Sequence, residues 1–297
     1  MPSEPARRAR AQTSATESAP PERPTPRRIP GRSCPMSRES SIPYSACCLP
    51  ERCILQFVMQ VFVILPAAGL GTRMGGAQPK QFLSLNGLPI LIHSLRAFTA
   101  VRAVTAIYVA VRATEINRVE EQIAKYMPEH FGPGSSKMIR VVEGGESRQH
   151  SVANALRRLP CDAEDIVLVH DAVRPLIDTA TISRTIKAVR EHGAAIVGMP
   201  AIDTVKQVER TAHGAVISST IPREYVVLAQ TPQGFRFDVL QHAFGEAEAD
   251  GFEGTDEASM VERSGHPIAV VAGSAMNLKI TRPGDLALAE FYLTQRG

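Results

Sequence analysis

The sequence predicts an α/β fold: a Rossmann-like, mostly parallel sheet with helices on both faces and a projecting β-hairpin arm. Three observations carry the prediction. From residue 59 onward, short β-branched runs alternate with segments of helical period and length. The glycine-bearing polar stretches come just after the apolar runs, where the carboxyl ends of parallel strands receive ligands. One stretch, residues 203–224, breaks the rhythm with two short alternating runs around His213-Gly214, the pattern of a hairpin.

Composition narrows the function classes. The 297 residues carry a net charge of +3, and the basic excess sits largely before residue 51, so no globally basic face for nucleic acid is indicated. No run of 18 apolar residues occurs, and no membrane span is expected. Cys34, Cys47, Cys48 and Cys53 lie in the N-terminal stretch and Cys161 is alone in the remainder; a reducing cytoplasm fits that usage. Residues 1–58 are rich in Pro, Arg and Ser and poor in aliphatics. They are expected to form a disordered extension, with residues 59–297 as the folded domain. Met59, immediately before the first strand, offers an alternative natural start.

The first strand, at 61–65, is continuously apolar, as a strand buried on both faces is. It runs into "PAAGLGTRMGGAQPKQF". A dinucleotide fingerprint fails there, because Met74 occupies the third glycine position; a Walker A loop fails, because Ala77 stands where lysine must be. A nucleotidyltransferase loop fits. Ala67, Ala68, Gly69 and Gly71 let the backbone approach a nucleotide, while Arg73 and Lys80 supply charge for an α-phosphate and a departing pyrophosphate.

A helix at 89–100, a strand at 106–111, a helix at 115–127 and a strand at 138–142 follow. Then comes "EGGESRQHSV", where Gly144 and Gly145 again permit close approach, Ser151 is placed to read a base edge, and Ser147 caps a helix at 147–159. The strand at 166–170 ends in "HDAVRP". Asp171 and Arg174 there form a substrate contact or a loop-fastening pair, and the position favours substrate; His170 reads as a packed strand-end residue. A helix at 179–192 and a strand at 194–199 lead to the arm, whose exposed edges call for a second subunit. Beyond it lie a strand at 226–229 and a helix at 236–247. "GTDEAS" reads as the start of a helix at 255–263, capped by Thr255, with Asp256 and Glu257 in its first turn. A strand at 268–271 precedes "MNLKITRPGDL", which sets Lys279 ahead of a last helix at 283–295.

These motifs, together with "DTVK", "TIPRE", "AQTPQGF" and "TDEAS", resemble the 2-C-methyl-D-erythritol 4-phosphate cytidylyltransferases of the non-mevalonate isoprenoid pathway, in order and across nearly all of the folded part. The resemblance implies transfer of a cytidylyl group from CTP to a methylerythritol phosphate, with Mg²⁺ held mainly by the CTP phosphates rather than by protein ligands. It casts Arg73, Lys80, Arg223 and Lys279 as catalytic, and Ala67, Ala68, Gly69, Gly71, Gly145, Glu146 and Ser151 as the CTP site. Asp171, Arg174, Thr204 and Thr231 become the sugar-phosphate site. Glu146 stands where some relatives have Asp. Thr204 and Arg223, on the arm, match residues that reach into the partner of a homodimer. Ribitol-5-phosphate cytidylyltransferase shares these loops, and a nucleotide-binding protein without catalysis is the non-enzymatic alternative.

Overall fold

The computed structural model describes residues 59–69, 78–132, 134–135, 137–212 and 214–295. The expected extension 1–58 lies outside the described residues, as do Gly71 and Arg73. Chain contacts divide the protein into Met1–Leu55 and Gln56–Gly297; all the elements belong to the second unit.

β1 (Val61–Pro66) is followed by a small hairpin of β2 (Ser84–Leu85) and β3 (Leu88–Pro89), then by α1 (Ile90–Thr99), β4 (Ala106–Val111), α2 (Ile116–Tyr126) and β5 (Met138–Glu143). α3 (Arg148–Leu156), β6 (Ile166–Val169), α4 (Thr179–His192) and β7 (Ala194–Pro200) complete the first two-thirds. The arm is β8 (Val205–Thr211) and β9 (Gly214–Ile221), after which come β10 (Val227–Arg236), α5 (Phe237–Asp250), α6 (Glu257–Arg263), β11 (Ala269–Ala272) and α7 (Pro283–Thr294). The main sheet has the order β11-β7-β10-β6-β1-β4-β5. β1 pairs in parallel with β4 and β6, β4 with β5 and β7 with β11, whereas β10 runs antiparallel to both β6 and β7.

Alternation along β1 assigns the layers. Val61, Val63 and Leu65 share a core with Leu91 and Leu95 of α1, Val119 of α2 and Ile186 of α4. Phe62 and Ile64 face the opposite core, with Val152 of α3, Leu240 of α5 and Val261 of α6. Full burial of one such side chain contributes roughly 1.5–3 kcal/mol, so the continuous apolar run of β1 is what both helix layers pack upon. The chain builds β4 and β5 on one side of β1 and places β6 on the other. The switch point therefore lies beside β1 at the carboxyl ends, where open α/β sheets bind ligands.

Two expectations are corrected. The strand expected at 226–229 runs on to Arg236 and is antiparallel. Its second half looks like a loop, because it holds two glutamines and a proline. They are tolerated because Gln230 Nε2 donates to the Ser274 carbonyl (3.0 Å) and Gln233 Nε2 to Asp256 Oδ2 (2.7 Å), and because the ladder to β7 is interrupted between Gln230 and Gln233, around Pro232, which has no N–H to give. The cap of α6 is Asp256, not Thr255: its carboxylate accepts from Ser259 N, and Ser259 returns the bond in a capping box. Glu257 lies in the first turn, as expected, and is fully buried.

The arm is antiparallel, as expected, and leaves the sheet between the neighbouring strands β7 and β10. A bond from Ala201 N to the Val226 carbonyl (3.0 Å) closes its neck. Its apolar side chains are uncovered: Val216 is 61% exposed, Ile217 60% and Tyr225, at its base, 84%.

Candidate functional site

Loops at the switch point meet in two adjoining cavities. The first is lined by Ala67, Ala68 and Gly69 after β1, Lys80, residues 145–148 and Ser151 around the start of α3, and Asp171 after β6. The second lies against the irregular middle of β10, lined by Arg174, Gln230, Thr231, Gln233 and Asp256. Arg148, Asp171 and Lys279 line both and so form a wall that the two share.

That wall is an ion cluster. Asp171, buried at the end of β6, meets Arg148 Nε at 3.1 Å, Lys279 Nζ at 2.9 Å and Arg174 Nε at 3.4 Å. Burial alone would raise its carboxyl; Arg148, Lys279 and Arg174 overrule burial and hold it well below the usual carboxylate range. Arg174 also donates to the Asn277 carbonyl (2.7 Å), so the pair fastens its loop while lining the second cavity. Three cations against two carboxylates, Asp171 and the Glu257 that also pairs with Arg148, leave one surplus positive charge at the shared wall, which suits phosphates in both cavities.

The first cavity is built by local geometry. Gln81 Nε2 donates to the Ala67 carbonyl (2.7 Å) and Arg112 Nε to the Ala68 carbonyl (2.8 Å), fixing the backbone that leaves β1. Neither residue was singled out in the sequence, because a side chain reaching back 14 or 44 residues leaves no local pattern. A Cβ on Gly69 would meet nothing within 4 Å, so this glycine faces open space. Gly145 differs: a Cβ there would lie 2.4 Å from His150 Cβ. Its smallness serves the packing of the loop on α3, and it also lines the cavity. Ser147 caps α3 as expected, accepting from His150 N. Ser151 is buried; its hydroxyl accepts from Gly145 N (3.0 Å) and donates to the Ser147 carbonyl (2.8 Å), so it shapes the turn. Glu146 is exposed at the cavity rim.

In the second cavity Thr231 accepts from Asp171 N (3.1 Å) and lies 3.0 Å from His170 Nδ1. His170 Nε2 faces the Arg174 carbonyl (3.1 Å), which only accepts, so Nε2 carries the hydrogen and Nδ1 receives the Thr231 hydroxyl proton. Thr231 thus ties the Asp171 loop to a packed histidine. Burial pushes His170 down to about 4. Because the unfolded chain binds this proton near pH 6.5 and the native one only near 4, the stability contributed by the neutral ring is present above pH 6.5 and lost as the pH falls toward 4. NMR titration should show the ring neutral throughout that interval; titration near 6.5 would contradict the assignment.

The remaining expected residues stay apart. Thr204 and Arg223 are exposed on the arm and are not among the residues lining either cavity; Arg223 Nη1 donates to the Ile202 carbonyl (2.6 Å). Sequence reasoning missed Arg148, which pairs with Asp171 and, 109 residues along the chain, with Glu257 (2.7 Å). Among the described residues no group of three His, Cys, Asp or Glu is placed to hold a metal ion, and no helix is long and apolar enough to cross a membrane.

Comparison with known proteins agrees with the geometry. Residues 61–295 match the family model described as IspD: 2-C-methyl-D-erythritol 4-phosphate cytidylyltransferase. A 2-C-methyl-D-erythritol 4-phosphate cytidylyltransferase of Acidobacterium capsulatum is 64% identical over 243 residues, covering 80% of this chain and 99% of the relative. One of Solibacter usitatus is 50% identical over 244 residues, covering 80% and 97%. The crystal structure of the Francisella tularensis enzyme superposes with a TM-score of 0.65 at 34% identity, covering 78% of this chain and 99% of that one. With its switch-point loops, its arm and these relatives, the chain belongs to the 2-C-methyl-D-erythritol 4-phosphate cytidylyltransferase family.

Proposed function

We propose that the chain transfers the cytidylyl group of CTP to 2-C-methyl-D-erythritol 4-phosphate, giving CDP-methylerythritol and pyrophosphate. The observation that carries this reading is the pair of cavities sharing one cation-bearing wall, Arg148–Asp171–Lys279. A nucleotide in the first and a sugar phosphate in the second both present phosphates to that shared wall, where the two cavities adjoin. An oxygen of the acceptor phosphate attacks the α-phosphorus, a new P–O bond forms in line, and the bond to the β-phosphate oxygen breaks to release pyrophosphate. An acceptor phosphate dianion is already ionised, so no protein nucleophile or base is required; the protein positions the reactants and stabilises charge.

Lys80 serves the nucleotide phosphates in this reading and Lys279 the acceptor; Arg73 is assigned the same role as Lys80. Ala67, Ala68, Gly69, Gly145, Glu146 and Ser151 line the nucleotide cavity, and Gly71 is assigned with them to nucleotide binding. Asp171 aims the lysine, Arg174 fastens its loop and Thr231 holds Asp171. The donor set suits a metal carried on the triphosphate better than one caged by protein, because Asp171 already serves three cations. Bound there, Mg²⁺ supplies charge neutralisation for the leaving pyrophosphate. The lone Cys161 of the described residues supports a reducing, cytoplasmic setting.

The arm's uncovered apolar face supports a homodimer in which Thr204 and Arg223 of one subunit complete the acceptor site of the other. Pyrophosphate release from CTP, assayed with methylerythritol phosphate and ribitol 5-phosphate, tests the reaction; turnover of ribitol 5-phosphate alone would refute it. The arm is tested by mixing two impaired variants, Arg223→Ala and Lys80→Ala, under subunit exchange. If Arg223 acts across the interface, mixed dimers keep one intact site, and activity should recover toward about a quarter of wild type. Confirmed exchange without recovery would place Arg223 in its own chain's site.

A further inference from the structure

We propose that Glu257 is a positioning residue for cytidylyl transfer: it holds the Arg148 guanidinium in the plane from which Arg148 aims Asp171 into the wall that the cavities share. The inference rests on the function proposed above.

Arg148 is the first residue of α3, where a cation meets the positive end of the helix dipole and gains nothing from the helix itself. Its two partners account for its presence. Nε donates to Asp171 Oδ1 at 3.1 Å and Nη1 to Glu257 Oε1 at 2.7 Å. The guanidinium is a rigid planar fork, so anchoring Nη1 on one carboxylate fixes where Nε points toward the other. Glu257 is fully buried and lines neither cavity; its Oε2 has no hydrogen-bond partner among the described residues. A buried carboxylate with an unsatisfied oxygen is costly to keep, and burial raises its pKa against the pull of Arg148.

Its place is braced from two elements. Gln149 of α3 donates to the Phe252 carbonyl (3.0 Å) and accepts from Gly254 N (2.9 Å), fixing the approach to α6. Gln233 of β10 bonds Asp256 Oδ2 (2.7 Å) and accepts from Ala258 N (3.1 Å), holding the residues on both sides of Glu257. The first turn of α6 is thereby braced on α3 and β10, the elements that carry Arg148 and Thr231. Glu257 transmits that bracing to Asp171, and Asp171 to Lys279.

The test measures pyrophosphate release for Glu257→Ala, Glu257→Gln and Asp171→Asn, and for Glu257→Ala combined with Asp171→Asn. Glu257→Ala should lower kcat/KM for the acceptor by roughly 10–100-fold, the scale of a small misplacement of reacting groups. Glu257→Gln, which keeps an acceptor for Nη1, should recover to within about threefold of wild type. In the Asp171→Asn background Glu257→Ala should cost less than about threefold, because the link it serves is already gone. A folded Glu257→Ala with wild-type kinetics, a Glu257→Gln as poor as Glu257→Ala, or equal losses in both backgrounds would each overturn the proposal. If Glu257→Ala does not fold, Arg148→Lys reads the link from the other end: it keeps the charge, loses the fork and should lower acceptor kcat/KM at least about tenfold, whereas wild-type values would overturn the link. A wild-type enzyme inactive with methylerythritol phosphate but active with another acceptor would refute the proposed reaction while leaving these ratios measurable.

Discussion

Lys80→Ala should lower kcat by roughly 10²–10³ while the fold survives, the loss expected when a group that stabilises developing charge is removed. Lys80 opens a short 3-10 turn, Lys80–Phe82, and lines the first cavity. Its neighbours Gln81 and Phe82 are buried and hold the turn in place, so truncating the lysine leaves that packing intact. The loss should fall on kcat more than on the KM for CTP, because charge on the departing pyrophosphate grows toward the transition state. Steady-state kinetics with a parallel melting curve check this; a normal kcat would remove Lys80 from the chemistry.

Asp171→Ala should cost both activity and stability. The carboxylate is 8% exposed and faces Arg148, Arg174 and Lys279; without it three like charges remain close together. Removing one partner of a buried ion pair costs about 3–5 kcal/mol, and kcat/KM should fall by at least roughly 10² because the cations lose their common anchor. Inorganic phosphate should restore part of the melting temperature, since a bound anion relieves the same repulsion. Unchanged melting in the variant would show that the cluster is not coupled to folding. In the native protein the depressed pKa keeps Asp171 ionised, so its stabilisation is present above about pH 4 and lost only as the pH falls through its native value.

What the sequence made legible follows from periodicity. β1 and the helices that pack on it announce themselves by apolar spacing, and the arm by alternation without a helix. The Asn86-Gly87 turn of the small hairpin, both residues at positive φ, was readable as a hairpin signal but is flanked by strands of only two residues. The buried half of β10 was not readable, because Gln230, Thr231, Pro232 and Gln233 have the chemistry of a loop and become strand only through partners supplied by Ser274, Asp171 and Asp256. Asp171 stood out because a strand end carries positional meaning. Glu257 did not, because its partner lies on another element, and an acid at the start of a helix has an adequate local explanation in the dipole.

The bond from Ala201 N to the Val226 carbonyl has an evolutionary consequence. It carries the Val227–Gln230 pairing of β10 on β7 to the base of the arm, so what lies between residues 201 and 226, Thr204 and Arg223 apart, is free to lengthen, shorten or change composition without rewinding the sheet. If the arm supplies the neighbour's site, selection can retune who assembles with whom, and how tightly, as a trait inherited separately from the catalytic scaffold.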